Sequence, residues 1–150
     1  MPDESNEPTS QPVRKHDGTF HWEGVDVLKY KQEGSAPFKD VTRQVLFDGG
    51  GMPVQLRYFE VAAGGWTTLE RHEHIHNVMV IRGRGRCLIG DRMHDLVVND
   101  LVSVPPMTWH QFRAAGGEPL GFLCLVSTDR DRPQLPSEQE LKALGKALGS

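Results

Sequence analysis

The chain of 150 residues carries 17 Lys and Arg against 20 Asp and Glu, with a net charge of −3 and a pI near 6.1. The basic residues are scattered along it, so the electrostatic footprint of a nucleic-acid-binding surface is missing. Gly and Pro fill 16 and 10 positions while apolar residues make up 37% and aromatic residues 7%, a balance that suits short strands joined by tight turns and argues against a helical bundle.

The length suits one domain with one core. Residues 1–18 are rich in Pro, Ser, Glu, Asp and Asn with almost nothing apolar, so they are expected to form a mobile, disordered tail. No role is expected for His16 and His21, in or beside it. The N-terminus lacks the apolar run of a secretory signal, and nowhere do about eighteen apolar residues follow one another. A soluble, cytoplasmic protein is the expectation.

From Val25 come segments of strand composition: VDVLKY, VTRQVLF, PVQLRYFEVA, TTLERHEHIHNVMVI, RCLIG, DLVV, DLVSV, WHQF and LGFLCLV. GSAP, DGGGMP, AAGG, GRG, GD, ND, PP and AAGGEP punctuate them as turns. Many short strands and a single helical pattern predict a β-barrel or sandwich over residues 19–135 and a C-terminal helix within 136–150. In that helix Ser137 is the cap, Glu140 holds the capping-box position, and Leu141, Leu144 and Leu148 share a face. Cys87 and Cys124 lie in apolar stretches and are expected to be buried, reduced and packed as small hydrophobes.

Residues 66–76 are expected to form one extended strand whose even-numbered side chains share a face. Glu70, His72, His74 and His76 then converge on one side, with Trp66 and Thr68. Imidazoles and a carboxylate are costly inside a barrel unless compensated, and a metal ion uses all their lone pairs at once. His110, after the Pro105-Pro106 turn, is a fourth candidate from a distant strand.

Two spacings then stand out. Gly64, Glu70, His72, His76 and Gly83 are separated by five, one, three and six residues, and Asn99, Pro105, Met107, His110 and Ala114 by five, one, two and three. This arrangement resembles the two motifs of the cupin family, of the small, single-domain conserved-barrel type. The first motif reads Gly, His, His, Glu, Gly at the same five positions. Here its donors are permuted to Glu, His, His and the donor types are kept. The second reads Gly, Pro, Gly, His, Asn, and only Pro105 and His110 keep the family residue. Asn stands in most readily for Gly where φ is positive, so Asn99-Asp100 is expected to make the turn. The fifteen residues between Gly83 and Asn99 read as a hairpin turning at Gly90-Asp91, and the resemblance covers about residues 53–127.

The resemblance implies an all-β, double-stranded β-helix or jelly-roll barrel. It implies one divalent ion (Fe, Mn, Ni, Cu or Zn) held by Glu70, His72, His76 and His110, with Glu70 either staying a ligand or, loosely bound, doubling as catalytic base. His74 falls between ligand slots, where it orients a ligand, contacts substrate or is simply exposed, with ligation itself the lesser alternative. His94, just past the hairpin, is expected at the surface. Trp66, Thr68 and Phe112 are expected to line the pocket. Two-sided apolarity in 120–126, with Met79 and Ile81, calls for cover from another strand or a second subunit, and a homodimer is expected. Among similar cupins a dioxygenase or other oxidoreductase acting on a small, oxygen-bearing anionic molecule comes first. A redox-silent isomerase, decarboxylase or lyase, and a binding module without catalysis, are the alternatives.

Overall fold

The computed structural model describes residues 12–31 and 37–148. Its nine strands are β1 (Leu28–Lys29), β2 (Lys39–Asp48), β3 (Val54–Trp66), β4 (His76–Arg82), β5 (Gly85–Ile89), β6 (Arg92–Leu96), β7 (Leu101–Val104), β8 (His110–Ala114) and β9 (Leu120–Ser127), followed by helix α1 (Glu138–Leu148). The strands form one curled sheet in the order β6-β5-β8-β3-β9-β4-β7, with β2 on β3 and β1 on β2, and every pairing is antiparallel. This is the all-β, jelly-roll type of architecture expected above.

Long β3 ties the two halves together. It runs beside β2 and β9 for most of its length and reaches β8 at the single Trp66–Arg113 pair. Alternation decides which side chains meet inside the curl: Leu120, Phe122, Cys124 and Val126 of β9 are buried, joined by Phe59 and Val61 of β3 and Val78 and Val80 of β4. The turns follow chain chemistry. Ile89 pairs with Arg92 across the expected hairpin at Gly90-Asp91, and Asn99 takes φ +80°. Gly83 has φ +67°, and a Cβ there would run into the Pro119 carbonyl oxygen.

The first eleven residues of the expected tail lie outside the described residues. Residues 12–18 lead into a turn in which His16 bridges Trp22, and the Phe20 amide donates to His16 Nε2 at 3.0 Å. The boundary drawn at residue 18 therefore falls inside a folded turn. Phe20 and Trp22 lie against Tyr58 on the outer face of β3, with ring centroids 5.7 and 5.3 Å apart. Part of the cover that the outer face needs thus comes from the chain itself. Met79, Leu101 and Leu125 on the outer face of β4, β7 and β9 remain exposed, Leu101 at 77%.

Helix α1 begins with the expected reciprocal cap: Ser137 N donates to Glu140 Oε1 at 3.1 Å and Glu140 N to Ser137 Oγ at 3.2 Å. Leu144 and Leu148 pack with Leu69, Leu88, Met93 and Trp109 in a second small core. Leu141, expected on the same face, is exposed, because a single helix lying on a strand pair buries a narrow stripe. Cys87 and Cys124 are buried and unbridged.

Candidate metal centre

The stretch expected as one long strand is broken. β3 ends at Trp66 and β4 begins at His76, so residues 67–75 form a loop and strand parity does not govern them. Side-chain and backbone bonds fasten that loop instead. Thr67 N donates to Phe112 O, and Phe112 N donates to Thr67 Oγ1, both at 2.9 Å. Glu70 and His110 exchange backbone bonds at 3.0 and 3.2 Å, and Met107 N donates to His72 O at 2.7 Å. The Asp131 carboxylate accepts from the Glu73 and His74 amides at 2.8 and 2.9 Å and lies 2.7 Å from His74 Nδ1. Those amides hold the Asp131 carboxyl far below the ordinary carboxylate range.

Three histidines converge as a result. A ring nitrogen from each of His72, His76 and His110 lies within 4.8 Å of the others. His72 Nδ1 is 2.6 Å from the His74 carbonyl and His110 Nδ1 is 2.9 Å from the Thr108 carbonyl. Carbonyls only accept, so both Nδ1 atoms carry the proton and both Nε2 atoms keep a lone pair. His76 Nδ1 is engaged by Cys124 Sγ at 3.1 Å. The Nε2 atoms of His72 and His76 are buried with no hydrogen-bond partner, an expensive arrangement that a cation relieves. Burial, and then the neighbouring histidines, pull His72 down to about 4 and His76 to about 2. Burial likewise lowers His110. Neutral imidazoles are the form that ligates metal, so this group could hold a divalent ion.

Glu70 is buried in the same small cavity as His76 and His110, but its Oε2 meets Lys31 Nζ at 2.6 Å and it does not belong to the three-histidine group. That cavity measures about 30 Å³, room for an ion and a bound water. Thr68 and Phe112 line it. Trp66 does not: it lies at the end of β3, before the loop turns inward, and its ring sits 5.4 Å from Lys39 Nζ. His74 stacks on His72 at 3.6 Å and forms a separate group with His72 and Asp131. His94 is exposed.

A second cavity of about 170 Å³ shares Tyr30, Phe59, Glu70 and His76 with the first and adds Lys31, Arg43, Arg57, Arg130 and Asp131. His74 lines it too and was a sequence candidate, whereas none of these five additions was. They come from the residues just after β1, from β2 and β3, and from the segment after β9, and only folding brings them together. The one sequence signal was Arg57 itself, a charge that shares strand parity with the core residues Phe59 and Val61.

Comparison with known proteins agrees with this geometry. The family model described as a cupin domain matches residues 57–126. The chain is 53% identical over 134 residues to a 1-methylthio-D-xylulose 5-phosphate methylsulfurylase of Rhodospirillum rubrum, covering 89% of this chain and 86% of that protein. A cupin 2 conserved barrel domain protein from Rhodopseudomonas palustris superposes with TM-score 0.84 at 52% identity, covering 89% of this chain and 92% of that one. A cupin-2 domain protein from Rhodospirillum rubrum gives TM-score 0.80 at 49% identity, over 93% and 97%. With both motif histidine sets folded into one pocket of a curled antiparallel sheet, the chain belongs to the cupin superfamily.

Proposed function

We propose that the protein is a divalent-metal enzyme that removes the methylthio group from a small phosphorylated ketose. One observation carries the metal half of this reading: His72, His76 and His110 converge with each Nδ1 engaged elsewhere, and the Nε2 atoms of His72 and His76 are orphaned. The substrate half is supported by the name of the Rhodospirillum rubrum relative. A bound ion would supply Lewis-acid polarisation of the ketose carbonyl oxygen, chemistry that the oxygenase and isomerase expectations share.

The chain's own groups would manage the protons. Burial pushes the Tyr30 hydroxyl well above its usual range, so it stays protonated and can donate a hydrogen bond to a substrate oxygen. Glu70, anchored by Lys31, faces the same space and is the carboxylate available as base or, in the slot the motif assigns it, as fourth ligand. In the balanced reaction a thioether and an acceptor thiol give a methyl ketone and a methyl disulfide. The carbon–sulfur bond breaks, a sulfur–sulfur bond forms, carbon is reduced, and the thiol proton ends on carbon.

The test is to incubate metal-loaded protein with 1-methylthio-D-xylulose 5-phosphate and a small thiol, following loss of the S-methyl signal by proton NMR and oxygen uptake in parallel. Formation of the methyl ketone without oxygen uptake is expected. Turnover that consumes oxygen would restore the oxygenase expectation, and an unchanged substrate with every divalent metal would sink the proposal.

A further inference from the structure

We infer that Arg57, Arg43 and Arg130 form an anion subsite that grips the phosphate of the substrate beside the metal centre. The inference rests on the phosphorylated substrate proposed above. Arg57 sits on the inner side of β3, paired with Val45 of β2 and Cys124 of β9, and is only 8% exposed. Guanidinium cannot shed its proton inside a protein, so a buried one needs an anion or costs several kcal/mol.

Among the described residues that anion is missing. The Nε atoms of Arg57 and Arg43 are buried without a hydrogen-bond partner. The two carboxylates lining the cavity are engaged elsewhere: Glu70 with Lys31, and Asp131 with His74 and two backbone amides. What Arg57 does touch is apolar or neutral, the Phe59 ring at 5.0 Å and the Cys124 thiol. Its charged neighbours are Arg43 and Arg130, which repel it. Arg130 stands exposed at the rim, donating to Ser127 O at 3.1 Å. Three guanidinium groups around one cavity, two with unused buried donors, match the tetrahedral oxygens of a phosphoryl group, which Arg binds through paired N–H donors. Because the cavity shares Glu70 and His76 with the metal pocket, a phosphate held there points the rest of a short carbon chain at the histidines.

The experiment is calorimetric titration of the metal-loaded protein with inorganic phosphate, with metal content measured on every variant. Saturable binding that weakens with salt is expected in the wild type. Arg57→Met should weaken it roughly 10- to 100-fold, the loss of charge-assisted bonds, and Arg130→Gln by a smaller factor, with metal content unchanged. If Arg57→Met does not fold, Arg43→Gln and Arg130→Gln carry the test. Phosphate affinity that survives the Arg variants, or that is lost only in His110→Ala, would put the anion on the metal and overturn the inference. Failure of this subsite and failure of the proposed reaction are separable. Turnover with an unaltered KM in the Arg variants removes the subsite alone, whereas Arg-dependent phosphate binding without turnover removes the reaction alone.

Discussion

Acidification should weaken the metal-free protein well before its carboxylates titrate. Burial holds His72 down at about 4 and His76 at about 2, whereas an unfolded chain leaves each near ~6.5. Both histidines therefore bind more protons unfolded than folded, so their share of stability is complete above ~6.5 and drains away as pH falls below it. At pH 5 each unfolded histidine gains ~2 kcal/mol by protonating, roughly halved for water reaching the cavity mouth, so the pair together costs ~2 kcal/mol relative to pH 7. For a domain of this size that lowers Tm by about 4–8 °C. Asp131, also shifted down, adds its loss only below about pH 4 and does not confuse this window. Thermal unfolding followed by circular dichroism at pH 7, 6 and 5 in a chelator measures the drop. Because His110 is lowered by the same burial, a protein with His72→Gln, His76→Gln and His110→Gln together should show little of it. Wild-type stability that is flat or rising from pH 7 to 5 would refute neutral, buried imidazoles at this site.

His72→Ala and His110→Ala should each strip the bound ion, read by elemental analysis, while the exposed His94→Ala keeps it; stoichiometric metal in both of the first two would contradict the assignment. Met107 occupies a second-motif glycine position at φ +52°, so Met107→Gly should relieve left-handed strain for a net gain of about 0.5–1 kcal/mol in a denaturant titration; a loss would show that its side chain matters more. Since Leu101, Met79 and Leu125 are exposed together on one outer face, a homodimer at micromolar concentration is expected in sedimentation velocity, dissociated by Leu101→Asp. A monomeric wild type would dispose of that expectation.

Several features were readable from the chain because they depend on local chemistry. The unbroken apolar run LGFLCLV predicted a strand apolar on both faces, the Ser137–Glu140 pair predicted a helix start that the structure reproduces, and Asn99 predicted a positive φ. The resemblance of two motifs to the cupin pattern brought His72, His76 and His110 into one expectation. Tertiary structure alone decided how they meet. The parity argument treated 66–76 as extended, yet Asp131, Gln134, Met107 and His110 hold 67–75 as a loop, and those partners lie tens of residues away. The same distance explains why Lys31 claims Glu70, why Cys124 addresses His76 instead of acting as mere filler, and why Arg43, Arg57 and Arg130 surround one cavity. Side-chain periodicity reports which way a residue faces within its own strand, but which charges share a pocket depends on sheet order and curl, and these are settled by pairings between remote strands.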